Sequence, residues 1–142
     1  MPIRIVLVDD HAGYRAAVRH MLAREPDLVV VGDAGDGAGA IEVDREQNPD
    51  VIVMDIEMSP INGIELTRRI VARRPGAKVL ALSLHGDLRF VEEMTRAGAQ
   101  GYVLKQNATT ELPLAIREVA AGRQYWSPNL PPSALPMTGA AD

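Results

Sequence analysis

The sequence predicts an α/β fold, a three-layer sandwich in which one parallel sheet of five strands lies between two layers of helices. Two observations support this prediction. Short apolar runs alternate five times with segments of helical periodicity, which is the repeat of a parallel sheet. Each apolar run is also rich in valine, leucine or isoleucine, as expected for strands that helices cover on both faces.

The predicted strands follow one another along the whole chain up to about residue 104. They are Ile3–Val8, Leu28–Gly32, Val51–Met54, Val79–Leu82 and Gly101–Leu104. A helix is predicted after each strand, with the weakest pattern around 38–47. The clearest apolar faces are Tyr14, Val18, Met21 and Leu22 in the first helix, Val91 and Met94 in the fourth, and Leu112, Ile116, Val119 and Ala120 in the fifth.

Prolines mark the predicted helix ends. Pro26, Pro49 and Pro75 each fall between a helix and the next strand, because the helix must have ended before them. Pro113 is different, since it lies within the fifth helical pattern. We predict that it occupies the first turn after Thr109 and Thr110, where the missing N–H costs little.

Composition sets the broad class of the protein. The 142 residues are enough for one domain with its own core and too few for two of ordinary size. The net charge of -4 argues against a nucleic-acid-binding surface in this chain. The chain has no cysteine, no secretory signal and no apolar stretch of membrane-spanning length, so we predict a cytoplasmic protein without membrane contact.

The composition changes near residue 127. From there, four prolines are mixed with serine, alanine and glycine, and no apolar periodicity remains. Such segments have little apolar surface to bury. We therefore predict a folded domain over residues 1–126 and a proline-rich linker or tail over residues 127–142.

Carboxylates stand at the ends of two predicted strands. Asp9 and Asp10 follow the first apolar run, and Asp55 ends the third. Parallel strands lie ~5 Å apart and open α/β folds place ligands at this edge, so the three acids would repel one another without a cation. Oxygen ligands of this kind suit Mg²⁺, which is the predicted cofactor.

Two further strands end in groups that bind phosphoryl oxygens. Ser83 ends the fourth apolar run and Lys105 the fifth. Together with the carboxylates and Mg²⁺, these groups suit phosphoryl transfer to a carboxylate nucleophile. The ammonium, the hydroxyl and the metal ion would stabilise the equatorial oxygens of the phosphoryl group. Only two of the 15 lysine and arginine residues are lysines, so a lysine at this position is a specific signal.

Four strand-end motifs together resemble those of the receiver domain of bacterial two-component response regulators. They are VLVDDH, VIVMD with Asn62 and Gly63 downstream, ALS, and GYVLK. The resemblance covers about residues 1–126. It implies a flavodoxin-like (βα)5 fold with strand order 2-1-3-4-5, and no catalysis beyond the domain's own phosphorylation and dephosphorylation.

The resemblance also assigns roles to residues. It implies that Asp55 is the phosphoacceptor and that Asp9, Asp10, Asp55 and the backbone carbonyl of Glu57 hold Mg²⁺. Ser83 would be the switch hydroxyl, Lys105 the phosphate-binding lysine, and Tyr102 the aromatic residue that turns inward on activation. Glu57 and His85 lie two residues after the acceptor and the switch hydroxyl, and we hypothesise that they modulate the lifetime of the phosphoryl group.

Other segments are similar to those of the NarL/FixJ subfamily, whose receivers precede a LuxR-type helix-turn-helix domain. These segments are MPIRIVLVDDH, ALSLHGD, RAGAQGYVLK and AAGRQYWSP. The similarity implies a sensor histidine kinase as partner, a homodimer on phosphorylation, and transcription regulation through a DNA-binding domain. That domain is absent from these 142 residues, so either a truncated chain or a stand-alone receiver is compatible with the sequence.

Two other function classes compete with this interpretation. A phosphohydrolase with an aspartyl nucleophile has an Asp-x-Asp motif, but here the second acid is Glu57 and no cap domain is present. A degenerate receiver would act only as a protein-binding module, and the retention of every pocket residue argues against it. Single residues also have ordinary structural roles. Asp10, for example, is a candidate helix cap.

Overall fold

The computed structural model describes residues 1–128 and 130. Strands and helices alternate from the N-terminus. The strands are β1 (Ile3–Val8), β2 (Leu28–Ala34), β3 (Val51–Asp55), β4 (Val79–Ser83), β5 (Gly101–Leu104) and β6 (Tyr125–Trp126). The helices are α1 (Ala12–Leu22), α2 (Gly37–Gln47), α3 (Gly63–Arg73), α4 (Leu88–Ala97) and α5 (Ala108–Ala120), with a 3-10 turn over Lys105–Asn107.

All neighbouring strands pair in parallel, in the order β2-β1-β3-β4-β5-β6. The predicted α/β class and the order 2-1-3-4-5 are confirmed. In the described residues the sheet has one strand more than predicted, because the short β6 adds to the free edge of β5. Two residues are too few to produce a recognisable period in the sequence.

Two apolar clusters form the core, one on each face of the sheet. On one face, Val18 and Leu22 of α1 and Leu112 and Ile116 of α5 pack together with the strands. On the other face, helices α2, α3 and α4 supply the contacts. Most strand residues of β1, β3, β4 and β5 are buried, which is the reason for their nearly continuous apolar runs. The three-layer arrangement follows.

Local side-chain contacts define where α2 and α3 begin. The Asp36 carboxylate accepts a hydrogen bond from the Gly39 N–H, and the Asn62 side chain accepts one from the Glu65 N–H. These bonds satisfy amide groups that have no partner inside the helix. For α1 the N-cap residue is His11, and no side chain caps that helix within the described chain. Asp10 is therefore not the cap of α1.

Of the prolines Pro26, Pro49, Pro75 and Pro113, the first three lie where the sequence predicts. Pro26, Pro49 and Pro75 are each between a helix and the following strand. The prediction for Pro113 is wrong, because α5 already begins at Ala108 and Pro113 lies inside the helix, beyond its first turn. The 3-10 turn runs directly into α5, so Thr109 and Thr110 belong to the helix and do not precede it.

The segment after β6 packs on the domain. Ser127 is buried, and its N–H donates to the Tyr102 carbonyl while its hydroxyl donates to Glu111. Leu130 is also buried. The rest of the predicted linker, residues 129 and 131–142, lies outside the described residues. Within the part of the chain that is described, no helix has the length and apolar character needed to span a membrane.

Candidate functional site

The carboxyl ends of β1, β3, β4 and β5 lie side by side at one edge of the sheet. The strand register pairs Val8 with Met54, Asp55 with Leu82, and Ser83 with Leu104. Residues that end or follow these strands are therefore neighbours, although they are distant in sequence. All four predicted strand-end groups meet at this edge, as the sequence indicates.

Asp55 lies at the centre of the site and is 1 % exposed. One carboxylate oxygen, Oδ1, accepts a hydrogen bond from the Glu57 N–H at 3.2 Å and lies 3.3 Å from the Lys105 ammonium. The other, Oδ2, is buried and has no hydrogen-bond partner in the described residues. Burial, and then the nearby Asp9 charge, raise the pKa of Asp55 to about 7. A cation or a covalent partner at Oδ2 would relieve this unfavourable arrangement.

The other two acids lie beside Asp55. Asp9 is buried and Asp10 is exposed, and one oxygen of each lies with an oxygen of Asp55 and a nitrogen of His11 in a group whose atoms are all within 4.8 Å of one another. His11 Nδ1 is 3.0 Å from an Asp10 oxygen. The sequence marks His11 only as part of the MPIRIVLVDDH motif and predicts no role for it at the site, although it follows the acid pair directly. The described cluster is suited to a metal ion.

Lys105 joins the acidic cluster from β5. Its ammonium is 3.2 Å from an Asp9 oxygen and its side chain is 8 % exposed. Burial disfavours its charge, but Asp55 and Asp9 outweigh that effect and raise the pKa of Lys105. The same ammonium lies 4.5 Å from the centre of the Tyr14 ring. In the sequence, Tyr14 is recognisable only as part of the apolar face of α1, because its contact with Lys105 joins two elements that are distant along the chain.

Ser83, Glu57, His85 and Tyr102 form a connected set of hydrogen bonds. The Ser83 hydroxyl donates to Glu57 Oε2 at 2.7 Å and accepts from the His85 N–H at 3.0 Å. The Tyr102 hydroxyl donates to the His85 carbonyl at 2.5 Å. Tyr102 is fully buried, and burial raises its pKa to about 12. In this structure the Tyr102 ring lies inside the domain.

The imidazole of His85 stacks on Phe90 of α4, with ring centres 5.3 Å apart. This contact directs the ring along α4, and only the backbone of His85 joins the hydrogen bonds around Ser83. Glu57 is different, because its carboxylate contacts the Ser83 hydroxyl directly. The structure thus brings Glu57 to the site by its side chain and His85 by its main chain.

Gly63 allows α3 to begin close to the acceptor strand. A Cβ atom at Gly63 would lie 2.1 Å from the Asp55 carbonyl oxygen, which is closer than any real contact. The Gly63 N–H also donates to the Ile56 carbonyl at 2.9 Å. The spacing from Asp55 to Gly63 is therefore a packing requirement of the loop that carries Glu57.

An open pocket of about 800 Å³ leads to the cluster from solvent. Asp10, His11, Tyr14, Leu84 and Lys105 are among the residues that line it. The pocket opens this edge of the sheet to solvent. Its walls combine charged groups with apolar ones.

Comparison with known proteins agrees with this geometry. Residues 5–117 match the model of the response regulator receiver domain, and the chain belongs to that family. The match includes Asp9, Asp10, Asp55, Ser83 and Lys105 within its limits. The fold and the arrangement of strand-end groups are those of a receiver.

Individual relatives place the chain among receivers of transcriptional regulators. It is 44% identical over 128 residues to the transcriptional regulatory protein DegU of Brevibacillus brevis, a match that covers 90% of this chain and 54% of that protein. The chain therefore spans about half the length of this curated relative.

Solved structures give the same result. A LuxR-family two-component response regulator from Aurantimonas sp. SI85-9A1 is 38% identical with a TM-score of 0.88, covering 92% of this chain and 93% of that one. The signal receiver domain of a putative NarL from Mycobacterium tuberculosis is 32% identical with a TM-score of 0.81, covering 86% and 98% of the two chains. The predicted NarL/FixJ-type receiver is confirmed.

Proposed function

We propose that this receiver is a phosphorylation-operated switch in which Asp55 is the phosphoacceptor. The observation that carries the proposal is the state of its two carboxylate oxygens. Oδ1 is held by Lys105 and the Glu57 N–H, whereas the buried Oδ2 lacks a partner among the described residues. An oxygen that is oriented but unpaired suits nucleophilic attack.

The donor set fits Mg²⁺. Asp9, Asp10 and Asp55 supply carboxylate oxygens within one small cluster, and the Glu57 carbonyl would complete the protein ligands. The unpaired Oδ2 of Asp55 and the proximity of three acids both favour a bound cation. When bound, Mg²⁺ would neutralise charge on the phosphoryl oxygens and reduce repulsion among the acids.

In the proposed reaction, an Asp55 oxygen attacks the phosphorus of a phosphoryl donor in line. A new bond forms between that oxygen and phosphorus, and the bond from phosphorus to the donor's leaving atom breaks with its electron pair. Lys105 stabilises negative charge on the phosphoryl oxygens. The Ser83 hydroxyl would leave Glu57 and donate a hydrogen bond to one of these oxygens. The domain catalyses only its own phosphorylation and dephosphorylation.

The change of hydrogen-bond partner at the Ser83 hydroxyl, from Glu57 to the phosphoryl group, would transmit the phosphorylation signal. Ser83 accepts from the His85 N–H, and His85 accepts from Tyr102, so movement of Ser83 would shift the β4–α4 loop and Tyr102 with it. We infer that phosphorylation shifts an equilibrium between two arrangements of this set. The affected surface is formed by α4, β5 and α5.

The proposed partners follow from the receiver class. A sensor histidine kinase supplies the phosphoryl group, and phosphorylated domains pair as homodimers in the cytoplasm. The greater length of DegU, of which this chain covers 54%, and the LuxR-family name of the Aurantimonas structure support a parent protein in which a LuxR-type DNA-binding domain regulates transcription. The alternative is a stand-alone or degenerate receiver that binds proteins without DNA output, and an intact phosphorylation site favours the first proposal.

Intact-mass measurement tests the proposal. The chain is incubated with acetyl phosphate, with and without Mg²⁺, beside the Asp55→Asn variant. A phosphoryl adduct that requires both Mg²⁺ and Asp55 is expected. Absence of an adduct in the folded wild-type chain, together with no response to beryllofluoride, would support a degenerate receiver instead.

A further inference from the structure

We propose that Tyr14 is a positioning residue for Lys105, whose ammonium it holds at the phosphorylation site through the face of its ring. The inference rests on the proposed function, because it concerns the lysine that contacts the phosphoryl group. The observation is the distance of 4.5 Å between the Lys105 ammonium and the ring centre. At this distance the electrons of the ring face attract a cation.

Lys105 needs such a support because its other contacts change during the reaction. In the resting domain the ammonium lies 3.2 Å from Asp9 and 3.3 Å from Asp55. A bound cation would compete with Lys105 for the Asp9 carboxylate. Phosphorylation would convert the Asp55 carboxylate to an acyl phosphate. Both carboxylate contacts are therefore altered when Lys105 must act. A lysine side chain has a long flexible stem and loses its position easily.

The Tyr14 ring is neither a proposed metal ligand nor a proposed phosphoryl acceptor, so the support that it gives Lys105 does not depend on those events. It belongs to α1, is neutral, and packs against the apolar cluster that contains Val18 and Leu22. The ring is thus fixed by the core on one side and presents its face to the ammonium on the other. Cation–π attraction is stronger where water is excluded, and the Lys105 side chain is 8 % exposed.

The ring, and not the hydroxyl, carries the proposed role. The Tyr14 hydroxyl is buried and has no hydrogen-bond partner within the described part of the chain. Phenylalanine retains the aromatic face, whereas leucine and methionine retain apolar volume without it. These three substitutions separate the cation–π contact from simple packing.

The first test observes Lys105 in the unphosphorylated protein by NMR with ¹³C-labelled lysine. The chain has only two lysines, and Lys78 donates to the Ala120 carbonyl on another part of the domain. Lys78→Arg assigns the two signals. We expect the ε-protons of Lys105 to show an upfield ring-current shift that persists in Tyr14→Phe and disappears in Tyr14→Leu and Tyr14→Met.

The second test measures the rate of phosphorylation by acetyl phosphate with Mg²⁺. We expect Tyr14→Phe to match the wild type and Tyr14→Leu to be slower by about tenfold, the effect of one partly desolvated cation–π contact. In a Lys105→Ala background, Tyr14→Leu should cause no further loss. Tyr125→Leu is the matched control, because Tyr125 is half-buried and contacts Glu111 outside the site.

Thermal unfolding establishes that each variant is folded, and Tyr14→Met replaces Tyr14→Leu if the latter is not. The inference is overturned if the folded variant without an aromatic ring phosphorylates as fast as the wild type. It is also overturned if Tyr14→Phe is as slow as Tyr14→Leu, or if the loss persists without Lys105. Failure of the wild-type chain to form an adduct would count against the proposed function, while the NMR shift still tests the contact.

Discussion

Asp55, the proposed phosphoacceptor, lies in an environment that destabilises its ionised form and so lowers the stability of the fold. Its carboxylate is buried next to Asp9, and the Lys105 ammonium compensates only part of that unfavourable environment. The pKa of Asp55 in the metal-free folded domain is therefore raised to about 7, from 3.8 for an ordinary aspartate. Ionisation of Asp55 weakens the fold because the unfolded chain accommodates the charge better.

We predict that Asp55→Asn stabilises the metal-free domain, by about 1 to 3 kcal/mol above pH ~7. The gain should shrink as the pH falls from about 7 toward 3.8, because wild-type Asp55 then becomes neutral in the folded state. Urea unfolding in the presence of a chelator measures this difference. Asp87→Asn, at an exposed residue without a capping bond, is the control and should show no such gain. Equal stability of Asp55→Asn and wild type at high pH would contradict the prediction.

Glu57 and His85 are predicted to modulate the lifetime of the phosphoryl group. Glu57→Ala removes the acceptor of the Ser83 hydroxyl, and His85→Ala removes only a ring that stacks on Phe90. We therefore expect a change in autodephosphorylation rate from both, with the larger change for Glu57→Ala. Decay of the phosphoryl adduct, followed by intact mass, measures it. Unchanged decay in both variants would dismiss the hypothesis.

Among the structural elements, β6 and the residues after it pack against Tyr102 of β5 and the loop between β4 and α4. The Ser127 N–H donates to the Tyr102 carbonyl, and a Cβ atom on Gly86 would lie 3.2 Å from Leu130. Gly86 follows His85, whose carbonyl accepts the Tyr102 hydroxyl bond. The segment that leaves the domain thus contacts both β5 and the β4–α4 loop, so packing of this segment and the state of Tyr102 are expected to depend on each other.

Leu130→Ala should test the contribution of this segment. We expect a loss of about 2 kcal/mol in the free energy of unfolding, because a buried leucine side chain is removed. Chemical denaturation measures the loss. Leu114→Ala, at a leucine that is 48% exposed on α5, is the matched control and should cost much less. Equal effects of the two substitutions would show that Leu130 does not stabilise the domain.

For the molecule as a whole, the sheet separates two surfaces with different proposed uses. The strand-end edge carries the proposed phosphorylation site, and the surface of α4, β5 and α5 is proposed to receive the signal through Ser83 and Tyr102. Tyr102 belongs to β5 and pairs with Ala81 of β4 on one side and Trp126 of β6 on the other. The proposed change at Ser83 would therefore reach β5, which lies at the centre of that surface.

We predict that beryllofluoride with Mg²⁺ converts the chain from monomer to dimer. The phosphoryl analogue would stabilise the active arrangement, which exposes the pairing surface. Light scattering after size-exclusion chromatography measures the solution mass, and Asp55→Asn serves as the control that should stay monomeric. An unchanged mass of the wild-type chain with bound analogue would count against dimerisation.

The sequence by itself determined the elements that arise from local patterns. Continuous apolar runs defined five strands. Because parallel strands bring their carboxyl ends to one edge of the sheet, the polar residues at these ends were predicted to form one site. They are Asp9, Asp10, Asp55, Ser83 and Lys105. The order of motifs along the chain was enough to identify a receiver. None of these inferences required knowledge of a side-chain conformation.

Only the tertiary structure decided which groups touch. Ser83 is bonded to Glu57, the Tyr14 ring lies against Lys105, and Asp55 has one oxygen unpaired among the described residues. These contacts join residues from different elements, and they depend on how helices and loops pack over the sheet. The added strand β6 and the position of Pro113 inside α5 have the same origin. Long-range packing selects them from several arrangements that the local sequence allows equally.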